Sequence, residues 1–442
     1  MLKPAARASS ALIACEHCGI VHQRHALQSG ETALCSRCGT VLWKHSRLTL
    51  SGWLALTLTA LIVFAIANLH PVVSMKVQGM SRAATLVDAL AMTWRHQYWG
   101  VAIMTGLAGF LIPLVQLLLL SWMLAFLAVG RRPPAFGYLS RLVRAVIPWS
   151  MVPVFLLGVL VAVVKLAGMA SVAPEPGLWA FGVLCILQTL LNRLDGATLW
   201  HEAEARGIVP SLPLHQPAGQ ALAGCHACGQ VQAVSSHGHA PACARCGAAM
   251  HHRKPDHLKR TWALLIAAAI LYVPANVYPV MHIQSVFGDS AHTILGGVVE
   301  LWRLGSWDIA TIVFIASVVV PITKLVLLAM LAWYVQRRDP AYLWQRTRLY
   351  EIVEFIGQWS MLDVFVVILL TALAHFPGLS EISAGMGAGA FGMVVILTML
   401  AAMSFDPRSG WDHAEPSNTP DAGIACPEAP PAASTSFRKE HV

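Results

Sequence analysis

Trp359-Ser360-Met361-Leu362-Asp363-Val364-Phe365 lies inside an apolar run from Ile352 to Ala374 and sets a carboxylate where lipid is expected. A charge near the centre of a spanning helix costs roughly 2.5–3.5 kcal/mol, so an intramembrane aspartate marks a functional position. The same words occur earlier as Trp149-Ser150-Met151-Val152-Pro153-Val154-Phe155, with proline in place of the aspartate. The chain therefore reads as two copies of one membrane unit. The copies differ at the position best suited to chemistry.

Outward from these stretches the copies keep step. A longer apolar run ahead of each carries a proline, Pro113 or Pro321, followed three residues later by Gln116 in the first copy and Lys324 in the second. Ala180-Phe181-Gly182 and Ala390-Phe391-Gly392 mark the last run of each copy, and Asp195…Trp200 and Asp406…Trp411 close it. The runs predict four spans per copy: Leu48–Leu69, Tyr98–Val129, Ala145–Ala167 and Leu178–Leu194, then Thr261–Val277, Trp307–Val335, Ile352–Ala374 and Ala388–Phe405. Each comes near or exceeds the roughly 20 residues that cross a bilayer. Between the first two spans, Thr85–Trp94 and Thr293–Trp302 space their apolar residues three and four apart, the pattern of an amphipathic helix on the membrane surface. Trp94, Tyr98, Trp99, Trp302 and Trp307 fit an interfacial aromatic belt. Asn68 and Asn276, each three residues before a proline, fit helix caps.

Composition agrees. Of 442 residues, 56% are hydrophobic and 12% charged, and the mean hydropathy is +0.61. Soluble domains carry about 25% charged residues, so a soluble enzyme is excluded. The first long apolar run starts only near Leu48, too late for a secretory signal.

Eight of the ten cysteines form four Cys-x-x-Cys doublets, leaving Cys185 in an apolar run and Cys426 in the tail. Cys15 and Cys18 pair with Cys35 and Cys38; Cys225 and Cys228 pair with Cys243 and Cys246. A doublet puts two thiolates on one tight turn, and two doublets complete the S₄ shell that suits Zn²⁺. Glycine follows every doublet (Gly19, Gly39, Gly229, Gly247), where such a turn needs backbone freedom. Two structural zinc ribbons in a reducing compartment are expected, rather than disulfides or a thioredoxin-like pair. His226, His237 and His239 crowd the second ribbon and read as solvated loop residues, not ligands.

The fold class expected is an all-α polytopic membrane protein: two repeats of four transmembrane helices, each preceded by a small Cys₄ zinc ribbon. The segments are ribbon 1–47, membrane repeat 48–200, linker 201–222, ribbon 223–257, membrane repeat 258–411 and a disordered tail 412–442. Eight spans put the termini and both ribbons on one side. Of 30 Lys and Arg residues, 24 fall there (counting Arg193 at the very end of its span), four on the other side and two within spans. The positive-inside rule makes the ribbon side cytoplasmic and accounts for the net charge of +8 without nucleic acid.

A four-cysteine ribbon plus four spans, duplicated, with Trp359-Ser360-Met361-Leu362-Asp363-Val364-Phe365, Pro321-Ile322-Thr323-Lys324 and Ser404-Phe405-Asp406-Pro407-Arg408, resembles the paraquat-inducible protein A family over about residues 12–412. The resemblance implies an inner-membrane component of an intermembrane lipid or hydrophobic-molecule transport system. Its partners would be membrane lipids and a periplasmic tunnel protein with mammalian-cell-entry domains. The first repeat departs from the pattern at Gln116 and Pro153.

Lys324 and Asp363 are expected to face each other in the second repeat, both about 17 Å from the cytoplasmic boundary at 1.5 Å rise per residue. Ser317 and Thr398 would complete a polar cavity around them. The pair is either a structural tie or a proton-responsive gate. No Walker-type phosphate loop occurs, and no convergent nucleophile, base and acid are seen, so no enzymatic activity is expected. The competing readings are a zinc-ribbon stress or redox sensor or assembly scaffold and, further off, a membrane enzyme acting on lipid or quinone.

Overall fold

The computed structural model describes residues 12–24, 27, 31–44, 48–77, 80–97, 99–167, 171–212, 221–234, 242–285, 288–303, 305, 307–338, 342–357, 365–366 and 380–413. The first repeat is built from α1 (Leu50–Leu69), α2 (Leu86–Arg95) and α3, which runs Trp99–Gly106, a π-helical turn Leu107–Leu111, then Ile112–Ala128. It continues with α4 (Phe136–Val146), α5 (Val152–Ala167), α6 (Pro176–Leu191) and α7 (Gly196–Ala205). The second repeat has α8 (His257–Val277), α9 (Ile294–Arg303), α10 (Trp307–Phe314, a π-helical turn Ile315–Val319, then Val320–Gln336), α11 (Leu343–Gly357) and α12 (Met386–Ser404). A 3₁₀ segment, Pro407–His413, ends the described chain.

Among the described residues six helices are long and apolar enough to cross a membrane, or seven if α6 and α7, bent by 59°, are joined. Most of the expected span Ile352–Ala374 lies outside the described residues. In α1 the buried positions Trp53, Thr57, Ala60, Phe64 and Ala67 recur every three or four residues, giving one face to the bundle. That face meets α6 and the later part of α3; α8 meets α12 and α10 in the same way. Asn68 and Asn276 each donate a side-chain hydrogen bond, 2.8 Å, to the carbonyl four residues back as their helices end.

Both π-helical turns end just before a proline, Pro113 or Pro321. Proline lacks an N–H and crowds the carbonyl four residues back, and widening the helix at that turn relieves both problems. The third span of the first repeat, expected over Ala145–Ala167, falls within the candidate span Phe136–Val163, but its helix is interrupted. Continuing it would drive the Pro153 ring into the Trp149 carbonyl. The chain passes through a 3₁₀ turn, Ile147–Trp149, leaves helical geometry at Ser150 and restarts at Val152. The Met151 N–H freed by the break donates to the Ala108 carbonyl in the π turn of α3, 3.3 Å. A backbone donor inside an apolar bundle has thus found a partner, as the absence of water requires.

Two features lie outside the all-α expectation. At the membrane end away from the ribbons, Val73–Val77 forms the centre of an antiparallel sheet with Met80–Ala84 and Ser171–Pro174. Met281–Ser285 does the same with Gly288–His292 and Ser380–Ala384. The short helices α2 and α9 follow these hairpins where the spacing predicts them. Thr85 and Asp88 form a capping box on α2, and the Gly296 N–H donates to the Thr293 hydroxyl on α9.

The ribbons dock crosswise. The second knuckle of the first ribbon packs on the second repeat: Arg37 lies 4.7 Å over the Trp411 ring and donates to the Trp411 carbonyl, 3.3 Å. The second knuckle of the second ribbon packs on the first repeat, with Arg245 5.2 Å over Trp200 and paired to Glu204. The two tryptophans are held alike, Trp200 Nε1 donating to Ser140 Oγ (3.0 Å) and Trp411 Nε1 to Thr347 Oγ1 (3.2 Å). The repeats also meet within the bundle. Phe155 and Phe365, the last residues of the two matching stretches, make an edge-on contact at 5.5 Å.

Candidate functional site

Each ribbon presents four buried cysteines whose sulfur atoms lie within 4.8 Å of one another, Cys15, Cys18, Cys35 and Cys38 in one and Cys225, Cys228, Cys243 and Cys246 in the other. Backbone hydrogen bonds shape the knuckles; in the first, Gly19 N–H donates to the Cys15 carbonyl and Cys15 N–H to the Ile20 carbonyl, both 2.9 Å. The turn needs a left-handed residue, and Gly19, Gly39, Gly229 and Gly247 sit at φ of +83°, +74°, +72° and +71°. The closest sulfur pairs, Cys15–Cys38, Cys18–Cys35, Cys225–Cys246 and Cys228–Cys243, are 3.5–3.6 Å apart. Tetrahedral bonds of about 2.3 Å to one ion place sulfurs about 3.8 Å apart, so both sites can hold a metal. Four thiolates leave no open coordination position, which suits a structural role rather than a catalytic one.

His226 was expected to be a solvated loop residue. It is instead half-buried at the junction of modules, 3.4 Å from Arg408. Burial, with Arg408 beside it, pushes its imidazolium down to about 4, leaving the ring neutral at pH 7. His237 and His239 lie outside the described residues. Arg408 also makes two side-chain hydrogen bonds, 2.9 and 2.8 Å, to buried Asp406, which accepts a third from the Lys254 N–H at 3.0 Å. The Ser404-Phe405-Asp406-Pro407-Arg408 stretch is therefore a clasp between the last span and the second ribbon. Asp412 extends it by pairing with Arg253.

Inside the bundles the repeats differ. In the first, Gln116 Nε2 donates to Asn192 Oδ1 (2.8 Å), and Gln188 Nε2 donates to both Gln116 Oε1 (2.7 Å) and Ser150 Oγ (2.9 Å). Gln116 and Gln188 are fully buried, and the cluster joins α3, α6 and the break before α5. Gln188 gave no signal in the sequence, and Ser150 stands out only as part of its motif, because a neutral amide or hydroxyl in an apolar run carries no charge.

Counting from matching motifs, Gln116, Ser150, Gln188 and Pro153 correspond to Lys324, Ser360, Thr398 and Asp363. Lys324 is 2% exposed, and among the described residues its Nζ has no hydrogen-bond partner. The ammonium lies against the last residue of α11, where a Cβ on Gly357 would stand 3.0 Å from Nζ. Glycine makes that approach possible. Ser317 and Thr398 are also buried, and each hydroxyl donates to a carbonyl of its own helix, Val313 (2.7 Å) and Val395 (3.0 Å). Asp363 and Ser360 lie outside the described residues, while Phe365, two positions after Asp363, is described and buried.

A family model described as "Paraquat-inducible protein A" matches residues 50–204 and 258–415, one segment per membrane repeat. The chain is 33% identical over 416 residues to the "Intermembrane transport protein PqiA" of Escherichia coli (strain K12), covering 91% of this chain and 95% of that protein. It is 30% identical over 412 residues to the "Lipophilic envelope-spanning tunnel protein A" of the same organism, covering 91% and 92%. A "Probable intermembrane transport protein" of Haemophilus influenzae is 28% identical over 416 residues, 90% of this chain and 95% of the relative. No solved structure matches the chain.

Proposed function

This chain belongs to the paraquat-inducible protein A family, and on that premise we propose that it is the inner-membrane component of an intermembrane lipid transport system. It loads or gates lipid or another hydrophobic molecule for a periplasmic tunnel protein with mammalian-cell-entry domains. It does so without enzymatic chemistry of its own and without binding nucleic acid. The reading takes eight spans with the ribbons and both termini on the cytoplasmic side, supported by the concentration of Lys and Arg there. The segment boundaries drawn from the sequence are kept, and both Cys₄ sites hold structural Zn²⁺.

One observation carries the mechanism: an ammonium, Lys324, is buried in an apolar bundle at the position where the first repeat has a neutral amide. Asp363 is its counter-charge, and Ser317 and Thr398 line the same polar region. Support for that grouping comes from the first repeat, where the residues matching 324, 360 and 398 share hydrogen bonds. With Asp363 ionised the pair holds the bundle closed. Protonation weakens the contact and opens the interior beside the lipid path, because the attraction between two buried charges falls when one is neutralised.

Asp363→Asn keeps the shape and abolishes the titration. The variant should fold, retain its metal and partner, and fail to move lipid between donor and acceptor vesicles. Transport at the wild-type rate by that variant would rule out the gate and leave a structural pair. Metal analysis of the purified chain should find about two zinc ions. Cys228→Ser should lose one of them and lower the unfolding midpoint, since binding to a closed Cys₄ site is folding free energy. A metal-free preparation equally stable would overturn the structural role.

A further inference from the structure

Between the two ribbons lies a cavity of about 420 Å³, within the roughly 300–1,000 Å³ range of small-molecule sites. Both ribbons, the start of α7 and Arg408 line it, so all four modules of the molecule meet there. Its polar lining is lopsided. Glu16, Asp195 and Glu202 are each engaged elsewhere: Glu16 in a two-point bridge to Arg144 (3.0 and 2.9 Å), Asp195 as the cap on the Thr198 N–H (2.8 Å) and Glu202 towards Arg206 (4.0 Å). Arg253 and Arg408 are likewise neutralised, by Asp412 and Asp406.

Two cations are left over. Arg24 and Lys44 have no carboxylate within ion-pair distance among the described residues, although both line the cavity; Glu202 and Glu204 act on Arg24 only from farther off. Trp43, next to Lys44, adds an aromatic ring, and the Arg24 guanidinium sits 5.9 Å from its centroid. Two imidazoles lining the same space, His17 and His201, have a buried nitrogen without a hydrogen-bond partner, Nδ1 and Nε2 respectively. The His201 side chain is nine-tenths buried.

From this arrangement we infer that the cavity between the ribbons binds a phosphate-bearing small molecule. Arg24 and Lys44 take the phosphate, the unpartnered imidazole nitrogens of His17 and His201 add hydrogen bonds, and Trp43 offers a face to a ring or an apolar stem. Arginine presents planar paired donors that match phosphate oxygens, and lysine adds a point charge. A monatomic anion would leave most of the volume and the ring unused. The phosphate could belong to a soluble metabolite or to a lipid headgroup reaching the ribbon side, and the test separates these sources.

The test is isothermal titration calorimetry on the zinc-loaded full chain in detergent, with inorganic phosphate, ADP and, in mixed micelles, dioleoylphosphatidic acid. At least one should bind saturably with about one site per chain. Arg24→Gln combined with Lys44→Gln should weaken that binding about tenfold or more, the loss expected for a charge-assisted contact. Arg24→Lys, which keeps the charge, should bind more tightly than the double variant. Lys259→Gln, changing an exposed lysine paired to Asp256, should bind like the wild type. Unchanged zinc content and elution volume show that each variant is folded. Binding of phosphate or ADP assigns a soluble ligand, and binding of phosphatidic acid alone assigns a headgroup. No saturable binding of any probe, or undiminished binding by the folded double variant, overturns the proposal.

Discussion

At the interior of the first repeat Gln116, Ser150 and Gln188 share hydrogen bonds; at the matching positions the second repeat has Lys324, Ser360 and Thr398. Interhelical hydrogen bonds in membranes contribute about 0.6–2 kcal/mol each, so the first cluster ties α3, α6 and the broken third span together. A lysine at the same depth works the other way, costing roughly 2.5–3.5 kcal/mol before any partner offsets it. One copy therefore spends its polar residues on cohesion. The other keeps a charge that weakens the fold unless it is used. The two bundles pack against each other through Phe155 and Phe365.

The largest expected effect comes from erasing the difference. Lys324→Gln gives the second repeat the chemistry of the first, and should cut lipid transfer between vesicles about tenfold or more while the unfolding midpoint stays or rises. Tenfold corresponds to about 1.4 kcal/mol of lost coupling. Transfer at wild-type rate would mean that the two interiors are functionally equivalent. A smaller effect is expected from Gln188→Leu, which leaves the Gln116 carbonyl oxygen and the Ser150 hydroxyl without their donor. Stability should fall by about 1–2 kcal/mol, read as a shift in denaturant midpoint, with transport per folded molecule unchanged. Should transport drop with no change in midpoint, the first repeat would be more than scaffold. Smallest of all, Pro153→Ala should leave transport nearly intact, because it removes neither a charge nor a hydrogen-bonding side chain from the first repeat. A loss matching that of Asp363→Asn in folded protein would contradict the division of labour.

Periodicity and motif spacing made much of this architecture legible. The duplication, both Cys₄ clusters, the glycine turns and the short helices α2 and α9 all lie in short stretches whose pattern matches one element. The break in the third span was signalled by Pro148 and Pro153, yet an apolar run that long outweighs two prolines when read as hydropathy alone. The outer sheets went unseen because strands of four or five residues, such as Ser171–Pro174, are too short to set an alternation apart from loop. Gln188 was passed over for want of charge. The crosswise docking could not be read at all: Arg37 and Trp411 are 374 positions apart, and nothing local in either stretch names the other.

That separation has a consequence in time. At about 5–20 residues per second of synthesis, Trp411 emerges roughly 20–75 s after Arg37. The first ribbon, whose ligands all lie before Thr40, can take up its ion while most of the membrane portion is still to be made. Glu16 can reach Arg144 of the first repeat early, but the second knuckle must wait, undocked, until the last span is in place. The second knuckle of the second ribbon has no such wait, because Trp200 precedes Arg245 in the chain, although the clasp from Lys254 to Asp406 closes only with the last span. A chain that stalls before its end leaves the second knuckle of the first ribbon without its seat, while that of the second ribbon is already docked on Trp200.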